Sequence, residues 1–270
     1  MESIKLWNEE IPGYIEGASI PTIHYYPAKD KKGDGCIVIF AGGAYVGRAL
    51  HESDGYAHFF EEQGIDCFVV DYRVKPSYFP IPLLDARRAI RYVRANAEKY
   101  GIDPYKIAVM GSSAGGHLAA MVSTYRGKID GEGADGLDEV DCMPNMQILC
   151  YPVLDINGHP GSFLNLLGDK YPSHRSVTPY CLADKNTPPM FLWHTATDKS
   201  VDINNSFRYA SRLHEFDISM EMHIYPCGGH GLGLGYHPEK NINLTYIQNW
   251  AEHLISWLKF NNYINGDTEK

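Results

Sequence analysis

The stretch Lys106–Leu118, KIAVMGSSAGGHL, constrains this chain more than any other. Ile107, Ala108, Val109 and Met110 form a short apolar run of the kind that becomes a buried parallel strand. Gly111-Ser112-Ser113-Ala114-Gly115-Gly116 follows, and then a helical pattern through His117, Leu118, Ala119, Ala120 and Met121. A G-x-S-x-G turn between a strand and a helix pushes its serine hydroxyl outward. The register selects Ser113 rather than Ser112, because only Ser113 has glycine two residues to either side. Those glycines answer a steric need, since the flanking positions pass close to the strand and helix backbones. A helix starting beside Ser113 aims its first amides at any oxyanion formed there.

A serine hydroxyl is a poor nucleophile until a base takes its proton, and the base needs a carboxylate to fix its tautomer. In a doubly wound sheet these partners come from loops at the carboxyl ends of later strands. The run Met190–Thr195 ends in a loop carrying Asp198, the expected acid. Asp155 is the runner-up, and Asp202 reads better as a helix cap. The run Ser219–Tyr225 ends in Pro226-Cys227-Gly228-Gly229-His230-Gly231, and His230, framed by glycines, is the expected base. His223 within that strand reads as packing, and His117 and His194 as satisfied histidines of the core or rim. The oxyanion needs two amide donors. Ala114, directly after the nucleophile, supplies one. The second is expected from the loop after Ala41, with Gly43 first and Gly42 and Ala44 as alternatives. Tyr45, next in that loop, is expected to line and narrow the acyl side of a substrate.

Taken in order, strands are expected at residues 2–7, 20–26, 35–41, 67–72, 107–110, 146–151, 190–195 and 219–225. Helices are expected at 54–63, 83–100, 202–216 and 241–260, besides the one after Ser113. Strands alternating with helices over the whole length predict a mostly parallel, eight-stranded α/β sheet with helices on both faces. No repeat or linker divides the chain, so residues 1–270 read as a single domain. Segments 125–145 and 156–188, rich in turn-forming residues, read as the parts of a small cap or lid. The tail from Asn261 is expected to fray.

A net charge of −9 and the lack of any Lys/Arg-rich run argue against nucleic-acid and anionic-membrane partners. No apolar run is long enough to span a bilayer. The start MESIKLWNEEIPGY lacks the basic end and apolar core of a signal peptide, so a cytoplasmic location is expected. The six cysteines are dispersed, and Cys36, Cys67 and Cys150 lie in or beside apolar runs, where a free thiol acts as a small hydrophobe. The twelve histidines show no metal-ligand spacing, so neither a catalytic metal nor another cofactor is expected.

The segments FAGGAYVGR, DYRV, IPLLDARRAIRYVR, GIDPYKIAVMGSSAGGHLAA, YPVL, PPMFLWHTATDKSV and GGHGLGL together resemble the bacterial acetyl esterase and acetylxylan-esterase-like branch of the α/β-hydrolases. Members of that branch are often labelled xylanases or sugar hydrolases, and the branch is related to the hormone-sensitive-lipase group. The resemblance covers about Gly35 to Lys259. It implies Ser113, Asp198 and His230 as a triad, in the Ser, Asp, His order of that fold. It also implies Gly43 and Ala114 as the oxyanion hole. The chain has Ala41-Gly42-Gly43-Ala44 where the lipase group carries H-G-G-G. The expected activity is hydrolysis of short-chain acyl esters, foremost acetyl groups on sugars or oligosaccharides. Homodimerisation through apolar surface near the last strand and helix is compatible with this reading. A peptidase of the same fold and a non-catalytic ligand-binding α/β-hydrolase are the competing readings.

Overall fold

Strand β5 (Ile107–Ser112) is buried along its whole length. It pairs in parallel with β3 (Cys36–Phe40) on one side and β7 (Met146–Cys150) on the other. The computed structural model describes residues 2–8, 10–133, 135–170, 175–237 and 242–265. The remaining strands of the sheet are β1 (Glu2–Lys5), β2 (Thr22–Tyr26), β4 (Asp66–Asp71), β8 (Met190–Thr195) and β9 (Met220–Tyr225). Their order is β1-β2-β4-β3-β5-β7-β8-β9. Within this sheet, among the described residues, only β1 with β2 and β2 with β4 run antiparallel. Two smaller features stand apart from this sheet, the short β6 (Asp130–Gly133) and the antiparallel pair β10 (Tyr236–His237) and β11 (Ile242–Asn243).

The central strands read as unbroken apolar runs because helices cover both faces. Alternate residues point to opposite sides. Val38, Phe40, Val109, Leu149 and Leu192 pack toward α2 (Ile81–Ala95), α4 (Ala114–Thr124) and α7 (Asn204–His214). Ile37, Ile39, Met110, Ile148, Phe191 and Trp193 pack toward α1 (Asp54–Gln63) and α8 (Thr245–Phe260). Cys36, Cys67 and Cys150 are free thiols within these layers. The helix expected over 83–100 starts at Ile81 and breaks at Asn96, where Asn96 Nδ2 donates to the Tyr92 carbonyl, and resumes as α3 (Ala97–Tyr100). The expected start of the last helix at Asn241 lies outside the described residues. Asp202 accepts the Asn204 N–H, although Ile203 holds the cap position of α7.

Two expectations are corrected. Segment 125–145 is not a cap over Ser113. It joins the C-terminal end of α4 to the first residue of β7, so it lies at the opposite end of the sheet from Ser113, which starts α4. It is also tied down by the polar face of α2. Arg87 donates to the Gly127 carbonyl and to Glu132, Arg88 to Asp135, and Arg91 to the Val140 carbonyl and Asp138. The tail is docked through Asn265 rather than frayed from Asn261. Tyr263 and Ile264 are buried, and Gly35 N–H donates to the Tyr263 carbonyl at 3.0 Å. Positions 134, 171–174 and 266–270, which fall in the two segments read as cap and in the tail, lie outside the described residues.

Segment 156–188 follows the carboxyl end of β7, the end at which Ser113 lies. It contains α5 (Pro160–Leu167) and α6 (Pro179–Leu182). Asn165 Nδ2 donates to the Ala44 carbonyl at 2.9 Å, which joins this segment to the loop after β3.

Candidate active site

Ser113 stands between β5 and α4 with φ 53° and ψ −118°, a left-handed conformation strained for a side-chain-bearing residue. Its N–H donates to the Cys150 carbonyl, and its own carbonyl takes the N–H groups of His117 and Val153. The flanking glycines are dictated by contact. A Cβ on Gly111 would lie 2.1 Å from the Gly115 carbonyl oxygen, and one on Gly115 would lie 2.1 Å from that of Phe40. Ser112, the other serine of the turn, is fully buried and bonded through Oγ to the Tyr56 hydroxyl at 2.9 Å.

Ser113 Oγ lies 2.8 Å from His230 Nε2, and His230 Nδ1 lies 2.7 Å from Asp198 Oδ2. A carboxylate accepts only, so Nδ1 carries the proton and Nε2 is free to accept from the serine. The Asp198 side chain is buried, in the loop just beyond the end of β8. Its other oxygen takes the N–H groups of Ser200 and Val201. Burial opposes its charge, but the hydrogen bonds from His194 and His230, the His230 charge and the Val201 N–H outweigh it. The carboxyl is thereby held well below the usual carboxylate range. The runner-up Asp155 is occupied elsewhere, by Arg208 at 2.6 Å and by the N–H groups of Asn157 and Gly158.

The loop after β3 is held peptide by peptide. The Ala41 carbonyl accepts the Tyr72 hydroxyl at 2.7 Å, and the Gly42 N–H donates to Glu52 Oε2 at 2.9 Å. The Gly42 carbonyl accepts the Ala49 N–H at 2.9 Å. Gly42 is therefore corrected as an oxyanion donor, because the buried Glu52 already uses its N–H. The Gly43 and Ala114 amides find no acceptor among the described residues. Gly43 has φ +142°, and a Cβ there would sit 2.2 Å from the Gly47 carbonyl oxygen, so this turn requires glycine.

Tyr45 is also corrected. Its ring is buried, and its hydroxyl meets His117 Nδ1 at 2.6 Å, so it supports the loop from behind and presents no surface to a substrate. His117 Nε2 donates to the Val177 carbonyl at 2.6 Å, which makes Nδ1 the acceptor of the tyrosine proton. Burial pushes this imidazole down to about 4. His117 is the satisfied core histidine that the sequence suggests.

His194 is a satisfied core histidine as the sequence suggests, and three further residues, Glu52, Tyr151 and His159, are not singled out by the sequence. His194 donates to Asp198, and Glu52 and Tyr151 lie beneath the site. His159 caps α5 with Nδ1 as acceptor, and burial and then the charge of nearby His230 lower its imidazole while Asp198 opposes them. None stands in a recognisable motif. A polar cleft of about 560 Å³ opens beside the loop after β3, lined by His24, Val46, Arg48, Asp54, Asp71 and Lys75 among others, and it includes no residue of the serine–histidine–aspartate chain. Among the described residues, one group could hold a metal ion. Glu221, His223 and His253 bring ligand atoms within 4.8 Å of one another, and they share no residue with the Ser113 cluster.

The sheet and the serine–histidine–aspartate chain define an α/β-hydrolase. Residues 24–213 match the BD-FAE family, and the chain belongs to it. It is similar to the acetyl ester-xyloside bifunctional hydrolase of Caldicellulosiruptor lactoaceticus, at 38% identity and a TM-score of 0.88 over 98% of this chain and 97% of that one. An alignment with endo-1,4-beta-xylanase B of Butyrivibrio fibrisolvens is 32% identical over 84% of this chain and 37% of the xylanase. Acetylxylan esterase of Xylanibacter ruminicola is 30% identical over 81% of this chain and 45% of the esterase. The chain thus spans less than half the length of these two curated relatives. Among the described residues, no helix is long and apolar enough to cross a membrane.

Proposed function

We propose that this chain is a serine carboxylesterase that releases short acyl groups, foremost acetyl, from sugar or oligosaccharide esters. The observation that carries the reading is the unbroken chain from Ser113 Oγ through His230 to Asp198, with the tautomer that leaves Nε2 free to take the serine proton. In acylation, Ser113 Oγ attacks the ester carbonyl as His230 Nε2 accepts its proton. Asp198 holds the ring and stabilises the imidazolium. His230 then returns the proton to the departing alcohol. Water repeats the sequence on the acyl-enzyme and frees the acid.

The tetrahedral oxyanion is assigned to the amides of Gly43 and Ala114. In a trans peptide the N–H points opposite to the carbonyl. The Gly42 carbonyl is turned to the Ala49 N–H, so the Gly43 N–H faces the other way. Ala114 opens α4, whose dipole adds to the field on the anion. Ala44 remains the alternative donor. The saccharide part of the reading is supported by the names of the relatives above. We also propose a single domain, with segment 156–188 as the rim of the site.

The test is a fluorophosphonate labelling assay paired with an acetate-release screen. Wild-type enzyme is expected to label at Ser113 and to release acetate from aryl acetates and from acetylated xylo-oligosaccharides. Activity is expected to persist in EDTA, because the serine and the two amides supply nucleophile and charge stabilisation without a Lewis acid. Hydrolysis of aminoacyl anilides in place of acetates would favour a peptidase, and binding without labelling a ligand receptor.

A further inference from the structure

We infer that Glu52 is a positioning residue that sets the oxyanion loop and the His230 loop in register with Ser113. This inference rests on the serine esterase reading above. Glu52 is 3% exposed and lies in the turn at Leu50–Glu52 between the two loops. Its Oε2 takes the Gly42 N–H at 2.9 Å. Its Oε1 takes the Tyr151 hydroxyl proton at 2.6 Å, and the same hydroxyl accepts the Gly233 N–H at 2.9 Å. Burial pushes the Tyr151 phenol well above its ordinary range, so it stays a donor to the carboxylate. The Tyr151 ring also meets the His230 imidazole edge to face at 5.1 Å. Next to Glu52, His51 Nε2 donates to the Gly231 carbonyl at 2.9 Å.

Both loops need such an anchor. The His230 loop contains Gly228, Gly231 and Gly233, all with positive φ, and glycine restricts its own backbone least. The Ala41–Gly42 peptide is fixed at its carbonyl by Tyr72 and at its N–H by Glu52. That peptide and the Gly42–Ala49 bond together aim the Gly43 N–H. A misaimed amide weakens the transition state, in which charge sits on the oxygen, more than it weakens the bound ester. The effect of losing Glu52 therefore belongs in kcat.

Glu52→Gln keeps the shape but offers an NH₂ to either the Gly42 N–H or the Tyr151 hydroxyl, where an acceptor is needed. On p-nitrophenyl acetate, kcat is expected to fall roughly 10- to 100-fold with KM changed by less than about twofold. The rate of fluorophosphonate labelling is expected to fall by the same factor as kcat/KM. Tyr151→Phe, which keeps the carboxylate and removes the bond to Gly233, is expected to lower kcat by roughly tenfold, and the double variant to lose no more than the worse single one. A kcat within about twofold of wild type in both single variants, or a loss confined to KM, overturns the inference. So does a double variant whose losses multiply. If Glu52→Gln does not fold, the Tyr151→Phe kcat and KM decide on their own. If wild type itself fails to label, or Ser113→Ala retains turnover, the esterase reading has failed instead.

Discussion

His194 Nε2 lies 3.2 Å from Asp198 Oδ2, the same oxygen that takes the His230 Nδ1 proton. Both His194 and Asp198 have fully buried side chains. His194 Nδ1 meets Ser206 Oγ at 2.9 Å, which leaves Nε2–H to point at the carboxylate. A buried carboxylate is costly unless its lone pairs are used. Four donors meet Asp198, two on each oxygen, and only one of them is His230.

Asp198→Asn is therefore expected to leave the fold intact but to lower kcat by about 10⁴, because an amide NH₂ facing Nδ1 favours the wrong tautomer. His194→Phe removes one donor to a charged group and is expected to cost roughly 1.5–3 kcal/mol of stability with a smaller loss of kcat than Asp198→Asn. Asp155→Asn should leave kcat close to wild type. Aryl acetate kinetics with urea unfolding separates the three, and a larger kcat loss for Asp155→Asn would move the acid to the loop after β7.

Ser113 and Ser112 are neighbours with opposite environments. Ser113→Ala is expected to abolish fluorophosphonate labelling and to lower turnover by several orders of magnitude. Ser112→Ala loses a buried hydrogen bond to Tyr56, so it is expected to lower stability by about 1 kcal/mol while labelling persists. Mass spectrometry of the labelled peptide checks which serine carries the probe.

His117 links stability to pH. Its folded-state value of about 4 lies below that of an exposed histidine, 6.5, so between the two the unfolded chain binds the extra proton. Stability is then expected to rise with pH across that window, to be fully present above it, and to be lost as pH falls toward 4, by roughly 3 kcal/mol. Urea unfolding at several pH values in wild type and His117→Gln tests this. An equal slope in both proteins would mean that other groups carry the dependence.

The site was legible where chemistry and local structure coincide. Gly111 and Gly115 around Ser113 are required by backbone approach, and Gly228 and Gly231 around His230 take positive φ, and these marks survive in a single sequence. Asp198, the carboxylate that meets His230, was readable from its place just beyond a strand. Long-range pairing left no such mark. Glu52 stands in ALHESD, which reads as the solvated start of a helix, yet its partners are 10 residues upstream and 99 residues downstream. The polar stripe of α2 has the periodicity of a solvent-facing surface. In the folded chain Asp85 is buried against Arg73 and Trp7, and the helix's four arginines, Arg87, Arg88, Arg91 and Arg94, fasten segment 125–145. Tyr45 misled for the same reason, since its sequence neighbours are the glycines expected to bind the oxyanion while its contacts are His117 and Tyr72.

Acyl length is the remaining prediction, and it follows from polarity around the oxyanion loop. With its oxyanion at the proposed Gly43 and Ala114 amides, an acyl chain on Ser113 is expected to start beside Gly43 and Ala44, and Ala44 is fixed at φ 52° with its carbonyl held by Asn165. A chain long enough to pass this loop would meet the polar cleft beside it. There Arg48 Nε donates to Asp71 Oδ1 at 3.0 Å and Arg48 Nη1 to the Tyr72 carbonyl at 2.7 Å. An alkyl chain laid into that cleft would desolvate charged groups without matching their hydrogen bonds. It would also forgo about 0.8 kcal/mol for each methylene that finds no apolar wall. We therefore expect kcat/KM to be highest for acetyl esters, lower for butyryl, and very low for octanoyl. Asn165→Ala, which frees the Ala44 carbonyl, should narrow the preference for acetyl over butyryl by loosening the loop. Measuring kcat/KM for p-nitrophenyl esters of two, four and eight carbons in wild type and Asn165→Ala checks both points. A wild-type enzyme more efficient on octanoyl than on acetyl would refute a polar boundary at the oxyanion loop.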